Sequence, residues 1–159
     1  QLGGVANIQA LWARREPSVT EVAMPMAGPE LEDWIYPFAS LLEAGALGVL
    51  TSDWGVSSQN PFLIMQTAIT RQPPGAPDHP PLTPAQCLTR EQALKAYTVN
   101  AARAAWRPDT GALSVGNLAD LIILDQDILA CDVQDIARIR VLLTLLGGEE
   151  VFRAEGFSG

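Results

Sequence analysis

The run Ala46-Leu47-Gly48-Val49-Leu50-Thr51-Ser52 is apolar through Leu50 and shows almost no alternation of apolar with polar side chains. A strand of that kind has no face suited to water. It belongs in a parallel sheet covered on both sides, and a parallel sheet needs long crossover connections, usually helices. Asp53 follows the run directly. A carboxylate at the carboxyl end of a short apolar strand sits where α/β barrels keep their chemistry.

The flanking segments supply helices. Pro37 suits the first turn of a helix on which Phe38, Leu41 and Leu42 share a face, and Gly45 stands where a left-handed cap would end it. Asn60-Pro61 joins a cap to a first-turn proline and predicts a helix over residues 62–71. Residues 72–81 hold five prolines and a glycine, which dictates an irregular loop, and the single histidine, His79, lies in it. Thr89 and Gln92 form a capping box for a helix ending near Trp106, with Leu94, Tyr97, Thr98, Ala101 and Ala105 along one face. Upstream, residues 3–11 read as a buried strand, and residues 17–29 as a connecting segment rich in breakers.

From Gly111 the pattern changes to short strands, over residues 118–124 and 138–146, with a hairpin turn at Gly147-Gly148 leading into residues 150–153. Asp132 is placed to cap one helical turn through Ile136. The change sets a domain boundary near residue 112, with a first domain over residues 1–111 and a second over 112–159.

A chain of 159 residues with 48% hydrophobic and 18% charged content has the composition of a globular protein. Its formal charge of −8, without a Lys/Arg cluster, argues against nucleic acid and anionic membrane as partners. No apolar stretch is long enough to span a bilayer, and the amino terminus lacks a signal pattern, so a cytoplasmic setting is the default expectation. Cys87 and Cys131 lack metal-type spacing and are expected to be ordinary reduced thiols. Gln1 is not an initiator methionine, which fits a truncated or processed chain.

Three runs carry a family resemblance. Tyr36-Pro37-Phe38-Ala39-Ser40-Leu41-Leu42-Glu43-Ala44-Gly45, followed by Thr51-Ser52-Asp53-Trp54, is similar to the helix and last barrel strand of the amidohydrolase superfamily. Leu88-Thr89-Arg90-Glu91-Gln92-Ala93-Leu94 with Tyr97-Thr98-Val99-Asn100-Ala101-Ala102 resembles the helix that follows. Residues 111–125, closed by Gly147-Gly148-Glu149-Glu150-Val151-Phe152, resemble the family's return into a small β-sandwich. The match is to the carboxy-terminal stretch of the "amidohydrolase 3" branch, metal-dependent hydrolases of non-peptide C–N bonds.

The resemblance implies an α/β fold comprising the last strands and helices of a TIM-type barrel and the carboxy-terminal part of a β-sandwich. It implies a small-molecule substrate and one or two divalent metals, zinc by expectation, in the intact enzyme. Asp53 is then a metal ligand and the catalytic base. The family's other ligands, a His-x-His pair, a bridging lysine or acid and two further histidines, have no counterpart here, so this chain alone is expected to bind no metal and to be inactive. It departs from the family at Gly55, where proline is usual, and at Ile8-Gln9-Ala10-Leu11-Trp12, where relatives often carry Gln-Pro-x-His.

Trp54 and Trp12 are candidates to wall a substrate pocket, with core packing as the plain alternative. Asp120 and Asp125 flank an apolar strand an odd number of steps apart and are assigned to turns rather than to a catalytic pair. A barrel remnant leaves strand edges open, so a homo-oligomer is expected. The rival class is a non-catalytic binding or assembly module derived from such a barrel.

Overall fold

The computed structural model describes residues 3–159. Strand β1 (Val5–Ile8) pairs in parallel with β2 (Leu47–Leu50), Val5 beside Leu47 and Ile8 beside Leu50. The crossover between them contains a 3-10 turn (Ala10–Trp12), a π-helical turn (Ser18–Ala23) running into α1 (Met24–Ala27), a second 3-10 segment (Pro29–Trp34) and α2 (Phe38–Glu43). Helices α3 (Pro61–Thr70), α4 (Arg90–Tyr97) and α5 (Val99–Ala104) follow. An antiparallel sheet of β3 (Leu121–Leu124), β4 (Val141–Leu146) and β5 (Glu149–Arg153) completes an α/β fold with two small sheets.

Several expectations hold residue by residue. Asn60 Oδ1 accepts from the Phe62 amide at 2.9 Å, and Pro61 opens α3. Thr89 and Gln92 form both halves of the capping box on α4. Asp132 caps the 3-10 turn Val133–Arg138 through the Gln134 amide at 2.8 Å. Gly147 and Gly148, both at positive φ, make the β4–β5 turn.

Residues 17–29, expected to be an irregular connection, are largely helical instead. Pro17 precedes the π-helical turn with helical backbone angles, and Pro29 opens a 3-10 segment. At such leading positions a missing N–H costs nothing, so these prolines start helices rather than break them. On α2, Leu41 turns outward, and only Phe38 is fully buried, with Leu42 partly so. Leu42 lies so close over Gly48 that a Cβ there would collide with it, which ties helix to strand.

The single helix expected up to Trp106 divides at Thr98, whose φ of −115° and ψ of −98° leave the helical region. The Thr98 hydroxyl donates to the Leu94 carbonyl at 2.8 Å, a back-bond of the kind that bends helices. The most buried residues of α4 are Ala93 and Ala96, rather than the expected stripe of larger side chains. Small side chains let α4 pack closely on α3 and β2.

The buried cluster joins Ile8, Leu50, Phe62 and Ile64 to Ile128, Ile136 and Ile139. Apolar packing is therefore continuous across residue 112, although the element type changes there. Among the described residues no helix is long and apolar enough to cross a membrane.

Candidate functional site

The carboxyl ends of β1 and β2 lie side by side. The Thr51 amide donates to the Ile8 carbonyl at 3.0 Å, and the Thr51 hydroxyl donates to Asn7 Oδ1. Two residues on, Asp53 adopts a left-handed backbone, φ 52°. Aspartate tolerates that region better than most residues, and such outliers concentrate at functional sites. Its carbonyl accepts from the amides of Val56 at 2.9 Å and Ser57 at 3.2 Å, closing a tight turn, and the Ser57 hydroxyl donates to the Ser52 carbonyl. The Asp53 carboxylate is half-buried and makes no hydrogen bond or ion pair among the described residues. It is thus a carboxylate held at a strand end by its own backbone, with its oxygens uncommitted.

Of the two candidate pocket residues, Trp12 is half-buried and lines a cavity of about 360 Å³ with Leu11, Val56, Leu63 and Pro74. Trp54 is 71% exposed and does not line that cavity. The structure brings Trp12 to the loop that Asp53 anchors and leaves Trp54 pointing to solvent. The Trp54–Gly55 peptide bond is cis.

Asp120 and Asp125 are committed to turns. Asp120 accepts from the Gly147 amide at 2.7 Å, and Asp125 holds the Arg140 amide at 2.9 Å and its Nε at 2.8 Å. The hydrogen bonds from Arg140 keep the Asp125 carboxyl below the usual carboxylate range. His79 stays in the proline-rich loop, its Nδ1 3.2 Å from the Pro80 carbonyl. Cys87 and Cys131 are free thiols.

No group of three or more His, Cys, Asp or Glu among the described residues is arranged to hold a metal ion. A catalytic zinc takes about three protein ligands. The donors of this chain therefore do not fit a complete metal centre, and Asp53 is at most one member of one.

One polar feature carries no strong signal in the sequence. Arg71, at the left-handed cap of α3, is fully buried, and its guanidinium donates to the carbonyls of Leu82 at 2.8 Å, Tyr36 at 3.0 Å and Ile35 at 3.0 Å, and to the Thr83 hydroxyl. Burial lowers its pKa to about 10. It fastens the end of α3 to the segment entering α2 and to the turn at residues 82–83. The only sequence hint was an arginine directly ahead of a proline-rich loop.

A sequence profile of the amidohydrolase family matches residues 1–152. The chain belongs to the amidohydrolase family. It is 34% identical over 116 residues to an N-substituted formamide deformylase of Arthrobacter pascens, covering 72% of this chain and 21% of that protein. It is 39% identical over 118 residues to the protein LONG AFTER FAR-RED 3 of Arabidopsis thaliana, covering 74% of this chain and 20% of that one. This amidohydrolase chain thus spans about a fifth of the length of the curated relatives it matches. Its fold is similar to that of an uncharacterized metal-dependent hydrolase from Pyrococcus horikoshii, with a TM-score of 0.69 and 27% identity over 83% of this chain and 26% of the other.

Proposed function

We propose that this chain is the carboxy-terminal portion of a metal-dependent amidohydrolase that cleaves a non-peptide C–N bond of a small molecule. The observation that carries the reading is Asp53, an uncommitted carboxylate at the carboxyl end of β2 in a chain of this family. The name of the Arthrobacter relative points to an N-substituted amide as the substrate class.

In this reading β1 and β2 are the last strands of a TIM-type barrel within residues 1–111, and residues 112–159 belong to a β-sandwich. The parallel pairing of β1 with β2 and the antiparallel β3–β4–β5 sheet support that division. A bound divalent metal, zinc by resemblance, would supply Lewis acidity, and its other ligands would come from outside this chain. Asp53 would contribute one donor and take a proton from the attacking water. Two free thiols support placing the enzyme in a reducing compartment, the cytoplasm.

The test is hydrolysis of an N-substituted formamide by the intact protein before and after chelation. Loss with chelator and recovery with zinc support the reading, and no hydrolysis of any amide opposes it. The isolated chain with added zinc should show no turnover above its Asp53→Ala variant. The assembly-module reading draws on the incomplete donor set. It predicts an intact protein that binds partners but hydrolyses nothing.

A further inference from the structure

The cavity beside Trp12 has a composition that selects its ligand. Leu11, Trp12, Val56, Leu63 and Pro74 give it apolar walls, and Arg14, Ser57 and Ser58 complete its lining. Arg14 Nε donates to Glu16 at 3.1 Å, so the one cation of the lining is compensated by a carboxylate and offers no net charge. Of its two lining hydroxyls, Ser57 donates to the Ser52 carbonyl, and Ser58 Oγ accepts from the Asn60 amide at 3.2 Å. A volume of about 360 Å³ lies at the small end of ligand pockets, enough for one ring or branched chain rather than an extended ligand.

We infer that this cavity binds the apolar substituent of a neutral amide, an aryl or branched-alkyl group, and so sets the substrate preference of the site. The wall formed by Val56 and Ser57 is fixed by hydrogen bonds to the carbonyl of Asp53 itself. A substituent seated there lies against the turn that positions the carboxylate. That the bound group belongs to a substrate rests on the hydrolase reading, whereas the apolar, uncharged character of the site rests only on its lining.

The experiment uses the full 159-residue chain, with acetanilide as the apolar probe and acetamide as its small counterpart, followed through methyl NMR signals of Leu11, Val56 and Leu63. Acetanilide should shift these signals saturably while acetamide leaves them in place. Val56 is 70% exposed, so Val56→Trp should fold and obstruct the cavity, leaving Leu11 and Leu63 unmoved by the probe. Absence of saturable shifts, or shifts of Leu11 and Leu63 that persist in a folded Val56→Trp variant, would overturn the inference.

In the intact protein, Trp12→Ala should lower kcat/KM for acetanilide relative to acetamide roughly 10-fold, the scale of a lost apolar contact in a specificity pocket. An unchanged ratio in an active enzyme also overturns it. If the chain binds acetanilide but the intact protein hydrolyses no amide, the hydrolase reading fails and the apolar site stands. If amides are hydrolysed without binding here, the reverse holds.

Discussion

The guanidinium carbon of Arg71 lies 5.0 Å from the centre of the Phe38 ring, and no carboxylate pairs with it among the described residues. Four neutral acceptors and an aromatic face take the place of a counter-ion. Arg71→Met would leave the Ile35, Tyr36 and Leu82 carbonyls without this donor. Each such group costs about 1–3 kcal/mol when it stays buried, and partial access to water reduces the sum. We expect a loss of roughly 3 kcal/mol in urea unfolding, with Arg71→Lys recovering only part because an ammonium cannot reproduce the planar fork. A change within about 0.5 kcal/mol, the range of ordinary surface substitutions, would contradict this role.

Tyr97 presents the opposite case, a buried hydroxyl with no hydrogen-bond partner among the described residues. Tyr97→Phe should raise stability by about 1 kcal/mol, because an unsatisfied polar group is removed and the ring is kept. Burial also holds the Tyr97 hydroxyl and the Cys87 thiol above their ordinary pKa values of 10.0 and 9.0. Above those values the unfolded chain releases protons that the folded chain keeps. Stability should therefore fall as pH rises past 9.0, and more steeply past 10.0, with Tyr97→Phe giving the shallower profile. Arg71, lowered to about 10, loses its proton over the same range in the folded chain and acts in the other direction, so the Tyr97 contribution is read as the difference between the Tyr97→Phe and parent profiles in thermal melts between pH 8 and pH 11.

Gln66, 1% exposed on α3, accepts from the Ala137 amide at 2.8 Å and donates to Gln134 Oε1 at 3.1 Å. Gln66→Leu removes the partner of the Ala137 N–H and should cost about 2 kcal/mol. Because Ile128, Ile136 and Ile139 belong to the same buried cluster as Ile64, a chain ending at residue 111 should also lose its cooperative melt. A sharp transition in that shortened chain would show that the first segment holds its own core.

What the sequence disclosed was local chemistry with short reach. The caps at Asn60, Thr89 and Asp132, the β4–β5 turn and the short apolar strand that leads to Asp53 depend on neighbours within a few residues, and each formed near where its spacing dictates. What it concealed depends on distant partners. The break at Thr98 accompanies a local back-bond and an Asn100 side chain that donates to the Gly48 carbonyl at 2.9 Å. The burial of Arg71 needs acceptors from three separate segments, and the outward turn of Leu41 depends on α2 presenting Leu42 to Gly48. At the site, Asp53 and Trp12 were legible as candidates, but the separation of Trp12 from Trp54 followed from a turn whose geometry no spacing rule encodes.

Parallel sheets are ordinarily covered on both faces, yet Val5 on β1 is 51% exposed, and all of β5 faces solvent. We expect the isolated chain to self-associate, most simply as a twofold dimer that covers these surfaces. Light scattering at micromolar concentration checks this. A monodisperse monomer with low binding of a hydrophobic dye would contradict it.

The most direct measurement concerns Asp53 in the intact protein that carries this segment. Asp53→Asn keeps the size of the side chain and removes its charge and basicity. Asp53 turns the chain through its backbone carbonyl, so the melting temperature should stay close to that of the parent. If Asp53 is the catalytic base, kcat for amide hydrolysis should fall by at least about 100-fold. A near-normal kcat in a folded variant would reduce Asp53 to a turn residue and contradict the central claim.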